Sequence, residues 1–176
     1  WDVTLPAAGS GANLVEILRR CRSGEIRALY VIGENPLATL PASMEVRAAL
    51  DRLELLVVQD PFLTDTARMA HAVLPACTFA EKDGTFTNLE GRVLRVREAM
   101  DPLGESLPDW HIMTALANAL GCQWEYESSN DIQAEIMKLL PGYYNLGQPR
   151  KVVPTVDRYL SNGYVAEVAT RYRAAG

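Results

Sequence analysis

The stretch Leu29–Leu40, LYVIGENPLATL, decides the fold predicted for this chain. It begins as a short apolar run typical of a buried strand and continues directly into a Gly-Glu-Asn-Pro loop. The same pattern returns at Leu55–Pro61, LLVVQDP. Because the carboxyl ends of parallel strands share one edge of a sheet, we expect the two loops to lie side by side, where such sheets bind ligands.

The length and composition limit the size and class of the domain that contains this sheet edge. With 176 residues, of which 48% are apolar, the chain can bury one full core and a small appendage. No apolar run approaches the ~20 residues of a membrane helix, and the first residues lack the features of a signal peptide. We therefore expect no direct membrane insertion.

The net charge and the cysteine spacing exclude further classes of protein. The net charge of -5 argues against a nucleic-acid partner. Cys21, Cys77 and Cys122 are odd in number and widely spaced, so the sequence contains neither a disulfide framework nor a CxxC motif. This usage favours a cytoplasmic setting and places any iron–sulfur cluster outside this chain.

Helical periodicity surrounds the two strands. Asn13 and Glu16 predict a capping box that opens a helix ended by Gly24. A second helix, capped by Ser43, should cross between the strands in a right-handed βαβ unit. Its predicted apolar stripe consists of Val46, Ala49, Leu50 and Leu53.

The remaining chain predicts smaller elements around this unit. A short helix over residues 64–70 and a strand over 72–74 precede a β-hairpin excursion within residues 78–97. A helix should open at Pro108, with one apolar face formed by Ile112, Met113, Leu116, Ala117 and Leu120. Another should open at Asn130, with these apolar residues facing inward: Ile132, Ile136, Leu139 and Leu140. The predicted fold is α/β, a Rossmann-like parallel sheet with flanking helices, in a domain of residues 1–142. Residues 143–176 should form an irregular tail, with one strand around residues 164–168.

Familiar catalytic motifs are absent from the sequence. It contains no GxGxxG, GxxxxGK[ST], HExxH or GxSxG, which disfavours a stand-alone NAD enzyme, P-loop protein, zincin or hydrolase. His71, His111 and Cys77 are interpreted as structural residues. Glu81 and Asp83, beside a glycine, are interpreted as a polar turn.

The two loops instead carry neutral polar groups suited to a dinucleotide. Gly33 permits close approach of a ligand, and Asn35 and Thr39 add hydrogen-bonding groups. Gln59 and Asp60 end the second strand, where doubly wound folds place a residue that binds ribose. From these residues alone, ordinary turns and strand ends explain the pattern equally well.

A longer sequence pattern favours the nucleotide site over ordinary turns and strand ends. It consists of three motifs in order: GENP, then LVVQDPFLTDTARMAHAVLPACTFAEKDGTFTNLEGRV, then PDW at the start of a helix. Through these motifs the chain resembles the molybdopterin oxidoreductase family over residues 12–142. The resemblance is strongest to formate dehydrogenase catalytic subunits and to the G subunit of the NADH-quinone oxidoreductase of complex I.

The resemblance implies a domain that holds the guanosine diphosphate end of a molybdopterin guanine dinucleotide, with molybdenum or tungsten. Asn35 stands where several members have Asp, and Ala76 and Cys77 stand where others have hydroxyl residues. The family's metal ligand and iron–sulfur segment would lie upstream, so no catalytic or metal-binding residue is expected here. The resemblance implies cofactor contacts by Gly33, Asn35, Thr39, Gln59 and Asp109. The loop residues Glu34 and Asp60 complete the predicted site.

Two classes of function stay open at this point. The chain is either the cofactor-binding domain of a formate dehydrogenase-like enzyme or a scaffold domain of the complex I protein, without bound molybdopterin. In both, its partners would be the remaining domains of the same subunit and other subunits of a redox complex. The expected location is the cytoplasm or the cytoplasmic face of a membrane complex.

Overall fold

A computed structural model of the protein describes residues 11–41, 44–89 and 92–139. The chain divides into two units, one formed by residues 1–82 and 97–129, the other by residues 83–96 and 130–176. The predicted tail over residues 143–176, and the strand expected within it, lie outside the described residues.

The first unit contains a three-stranded parallel sheet. Its strands are β1 (Ala28–Ile32), β2 (Leu55–Asp60) and β3 (Ala72–Pro75), and β2 lies in the centre. The register pairs Ile32 with Gln59 and Asp60 with Pro75, so the carboxyl ends of the strands meet at one edge. The predicted parallel α/β sheet is confirmed.

Helices connect and cover these strands. They are α1 (Leu14–Ser23), α2 (Pro36–Thr39), α3 (Val46–Leu50), α4 (Asp65–Met69) and α5 (Asp109–Ala119). Asn13 caps α1 by accepting from the N–H of Glu16 at 2.9 Å, and Gly24 ends it at φ 79°. The reciprocal half of the predicted capping box is wrong, because the Glu16 carboxylate instead accepts from Arg19 and Arg20.

The connection between β1 and β2 differs in detail from its prediction. The short helix α2 follows Asn35 directly and was not predicted. The N-cap of α3 is Glu45, in the left-handed region at φ 48°, while Ser43 lies outside the described residues. Leu53 follows the end of α3 but is buried, as its place in the apolar stripe predicts.

The core lies between the sheet and α1, α3 and α4. The predicted stripe of α3 supplies four of its members, Val46, Ala49, Leu50 and Leu53. The ten core residues are all apolar: Leu18, Cys21, Val31, Val46, Ala49, Leu50, Leu53, Leu56, Val58 and Ala67. By contrast, the predicted apolar face of α5 is mostly uncovered, since only Ile112 in that helix is buried and Leu120 beyond it is 78% exposed.

The second unit contains the predicted hairpin, in which β4 (Gly84–Thr87) pairs antiparallel with β5 (Val93–Val96). It also contains most of α6 (Ser129–Leu139). The prediction that the apolar stripe of α6 faces inward is met only in part, because Ile132 and Ile136 are half-buried while Leu139 is 39% exposed. Leu140 lies outside the described residues. No helix in residues 11–41, 44–89 or 92–139 is long and apolar enough to span a membrane.

Candidate functional site

A pocket of about 410 Å³ opens at the carboxyl edge of the sheet, inside the first unit. The ends of β1 and β2, the loop after each strand, the segment after β3 and the start of α5 contribute to it. Of the predicted contacts, Gly33, Gln59 and Asp109 come together here. The lining residues are Ile32, Gly33, Gln59, Pro61, Phe62, Cys77, Thr78, Phe79, Lys82 and Asp109.

Gly33 turns the chain away from β1 at the mouth of the pocket. Its φ of 62° lies in the left-handed region that favours glycine, and its N–H donates to the Gln59 carbonyl at 2.8 Å. A Cβ built at this position would meet nothing within 4 Å, so its backbone borders open space. The glycine therefore provides both the turn and an unobstructed approach.

Gln59 links β1 to α5 across the back of the pocket. Its Oε1 accepts from the Tyr30 hydroxyl, and its Nε2 donates to Asp109 Oδ1 at 2.6 Å. Tyr30 pairs in register with Val57, two residues before Gln59, so both side chains lie on one face of the sheet. Burial and the neighbouring Asp109 charge raise the pKa of Tyr30 above its ordinary value.

Lys82 completes the polar group around Asp109. Its ammonium pairs with Asp109 Oδ2 and donates to the Cys77 carbonyl at 3.0 Å. The Lys82 and Asp109 side chains are 22% and 38% exposed, so both remain accessible from the pocket. Each oxygen of the Asp109 carboxylate thus has one partner from the protein and keeps one further lone pair.

Sequence reasoning missed Tyr30 and Lys82. Tyr30 lies in a strand predicted to be apolar, where its hydroxyl is the feature that could have pointed to a polar neighbour. Lys82 lies in the Glu-Lys-Asp-Gly segment that was interpreted as a polar turn. That interpretation is wrong for Glu81, which is only 3% exposed.

The Glu81 carboxylate supports the wall of the pocket. It accepts from the N–H and the hydroxyl of Thr78, both at 2.7 Å, and from the N–H of Leu103 at 3.0 Å. The bonds from Thr78 and then the bond from Leu103 hold the pKa of Glu81 below its usual value. Thr78 and Phe79 are thereby fixed at the start of a short 3-10 helix, Phe79–Glu81.

Asn35 and Thr39 lie behind the first loop and do not line the pocket. Asn35 Oδ1 accepts from the Thr66 hydroxyl at 2.7 Å, and the Thr39 hydroxyl donates to the Asn35 carbonyl at 3.1 Å. The Thr66 hydroxyl in turn accepts from the N–H of Leu37 at 3.3 Å. In this structure the two predicted contacts hold the loop in shape.

Glu34 and Asp60 also lie outside the lining. Glu34 is exposed on the first loop. Asp60 is 7% exposed, and its Oδ1 accepts from the N–H of Phe62 at 2.8 Å, which shapes the second loop. Cofactor contacts by Glu34, Asn35, Thr39 and Asp60 stay predictions.

The residues interpreted as structural occupy defined places. His71 Nδ1 accepts from the N–H of Leu56 at 2.9 Å, and the ring of His111 lies 4.1 Å from that of Trp110. Cys77 is buried, and burial raises the pKa of its thiol. Within the described ranges, no group of three His, Cys, Asp or Glu side chains could hold a metal ion.

The pocket thus offers a binding surface of mixed character. Asp109 supplies acceptors, Lys82 supplies a positive charge, and Gly33 supplies open backbone. Phe62 and Phe79 add exposed aromatic surface, being 66% and 69% exposed. Acceptors, a cation and planar apolar groups together suit a nucleotide, which carries base donors, a phosphate charge and an aromatic ring.

Solved structures share this fold. The chain is similar to the acetylene hydratase of Pelobacter acetylenicus with a TM-score of 0.54 and 21% identity, over 60% of this chain and 15% of that one.

Two curated relatives are closer in sequence. The alpha subunit of the NADPH-Fe(3+) oxidoreductase of Geobacter sulfurreducens is 40% identical over 84% of this chain and 17% of its own length. A protein of Staphylococcus aureus named as a putative formate dehydrogenase is 42% identical over 82% of this chain and 14% of its own length. The chain therefore spans a small part of these relatives. The family model for molybdopterin oxidoreductases matches residues 7–119, and this chain belongs to the molybdopterin oxidoreductase family.

Proposed function

We propose that this domain binds the guanosine diphosphate end of a molybdopterin guanine dinucleotide in a formate dehydrogenase-like oxidoreductase. The remaining domains of the subunit would hold the metal and an iron–sulfur cluster, and other subunits of a redox complex would exchange electrons with it. Similarity to proteins named as a formate dehydrogenase and as an NADPH-Fe(3+) oxidoreductase subunit supports this class.

The observation that carries the proposal is the Asp109 carboxylate in the pocket wall, held between Gln59 and Lys82. Guanine presents two adjacent N–H donors, and a carboxylate can accept both as a bidentate pair. Asp109 keeps a free lone pair on each oxygen and is partly exposed, which suits this contact. We assign Asp109 to the base.

The other lining residues fit the rest of the nucleotide. The Lys82 ammonium offers a charge partner to the diphosphate. The open backbone of Gly33 lets a phosphate or ribose approach, and the exposed rings of Phe62 and Phe79 offer apolar surface to the base. A scaffold domain alone would not require a paired carboxylate and ammonium beside an open pocket, so these groups favour binding over the scaffold alternative.

Titration of the chain with GDP, followed by NMR, tests this proposal. Shifts should concentrate at Gly33, Gln59 and Asp109, and ADP should bind more weakly because adenine lacks the N1–H and 2-amino donors. Asp109→Asn should weaken GDP binding by about 1.5–3 kcal/mol, the scale of a hydrogen bond to a charged group. Its matched control is Asp101→Asn, which changes an exposed carboxylate outside the pocket lining. Equal GDP affinity in the Asp109→Asn and Asp101→Asn variants would contradict the assignment.

A further inference from the structure

We propose that Tyr30 and Gln59 are positioning residues that orient the Asp109 carboxylate for a guanine base, so that Gln59 acts through Asp109 and does not itself contact the nucleotide. This inference rests on the proposed function of the pocket. It reassigns Gln59, which the resemblance to the family implied as a direct contact.

The first argument is that the Gln59 side chain has no surface to offer a ligand. The residue is 0% exposed, and both ends of its amide are engaged, Oε1 by Tyr30 and Nε2 by Asp109. A ribose hydroxyl would have to displace one of these bonds. Gln59 therefore borders the pocket without exposed side-chain surface, whereas the Asp109 side chain beside it is 38% exposed.

The second argument concerns the orientation of the amide. Rotating it by half a turn would place its oxygen against the Asp109 carboxylate, where two acceptors repel each other. The carboxylate therefore turns the amide oxygen towards Tyr30, whose hydroxyl donates to it and holds it in place. Asp109 thus sets the orientation of the amide, and the bond from Tyr30 stabilises the amide in that orientation.

The third argument is that Asp109 is held from two directions by different parts of the fold. Gln59 on β2 binds Oδ1 at 2.6 Å, while Lys82, after the 3-10 helix, binds Oδ2. Fixing both oxygens fixes the plane of the carboxylate. A preset plane is what bidentate recognition of two parallel N–H donors requires.

The inference gives Tyr30 a role that packing does not explain. A phenylalanine would fill the same volume in β1, but it would not hold the Gln59 amide. Removing this hydroxyl should therefore change the order of a side chain and the selectivity of the pocket while leaving the sheet intact.

Tyr30→Phe tests the inference with two measurements. The first is the NMR order parameter of the Gln59 side-chain amide, which should fall in the variant. The second is the ratio of GDP to IDP affinity, since IDP lacks the 2-amino donor and cannot make the bidentate contact. The ratio should fall about two- to tenfold, the scale of one neutral hydrogen bond. Tyr126→Phe, which removes a hydroxyl outside the pocket lining, should change neither measurement.

A double-mutant cycle tests whether Tyr30 acts through Gln59. Gln59→Leu should lower the GDP to IDP ratio at least as much as Tyr30→Phe does, and Tyr30→Phe should have no further effect in the Gln59→Leu background. If Asp109→Asn weakens GDP binding but Tyr30→Phe leaves the ratio unchanged, the positioning role is overturned and the proposed function stands. If Asp109→Asn has no effect, the proposed function itself is overturned.

Discussion

The core of the first unit and the carboxyl edge of its sheet are stabilised in different ways. The core cluster is apolar throughout, whereas the edge and the segments next to it bury Gln59, Asp60, Thr66 and Glu81. Each of these four polar side chains has a hydrogen-bond partner. Burial of apolar area is non-directional, but a buried polar group must meet a partner in defined geometry. The core thus supplies stability and the edge supplies a defined shape.

The largest expected effect comes from placing a charge in the core. Leu50 is 2% exposed, so Leu50→Asp buries an unpaired charge and should lower the free energy of unfolding by about 4–5 kcal/mol. Chemical denaturation measures this loss. Ala48→Asp, on the exposed face of the same helix, is the matched control and should stay within about 0.5 kcal/mol of wild type. Equal stability of the two variants would show that the assigned face of α3 is wrong.

A smaller effect should follow from a change at the edge. Thr66 is 0% exposed, and Thr66→Val keeps its shape but removes the hydroxyl that bonds Asn35 and Leu37. Asn35 Oδ1 keeps its bond from the Thr66 N–H at 3.3 Å, but it loses the hydroxyl bond and the N–H of Leu37 loses its acceptor. This loss should cost about 1–3 kcal/mol in unfolding free energy, again measured by denaturation. Thr66→Ser keeps the hydroxyl and should lose only about 0.8 kcal/mol with its methyl group. A Ser variant less stable than the Val variant would argue that packing, not the hydrogen bonds, dominates at this position.

The smallest expected effect lies on the surface, outside both regions. Hydrogen bonds from Arg19 and Arg20 lower the pKa of Glu16 from 4.5 to about 2. Because the folded-state pKa is depressed, the contribution of Glu16 is fully present above pH 4.5 and is lost as the pH falls towards about 2. The difference in stability between wild type and Glu16→Gln should therefore shrink across this range.

Denaturation at several pH values would measure that difference. The same comparison in an Arg19→Met, Arg20→Met background is the control and should show little dependence on pH, since the cause of the shift is gone. An equal slope in both backgrounds would assign the effect to another group.

The contrast between core and edge also explains what the sequence could predict. The α3 stripe was predictable because Val46, Ala49, Leu50 and Leu53 follow a helical period, a local pattern that burial reproduces. The parallel pairing followed from the unbroken apolar strands. The polar group at the pocket was not predictable in this way, because the partners of Gln59 lie 29 and 50 residues away in sequence.

The family resemblance predicted some of the pocket residues that hydrophobic periodicity could not predict. It pointed to Gly33, Gln59 and Asp109, which the structure brings to one pocket, but it did not give the bonds among them. Tyr30 and Lys82 escaped notice because an aromatic residue in a strand and a lysine in a turn are ordinary in sequence. Only their distances to Gln59 and Asp109 distinguish them.

The separation of Asp109 from its strand has a consequence for the order of folding. All three parallel strands lie within residues 28–75, and their pairing joins residues 27 and 15 positions apart, such as Ala28 with Leu55 and Val57 with Ala72. Shorter loops cost less entropy to close. Asp109 must then close a loop of 50 residues to reach Gln59. On a ribosome, residues 28–75 also emerge before Asp109 does. We therefore expect the sheet to fold first and the pocket to be completed last, when the start of α5 docks.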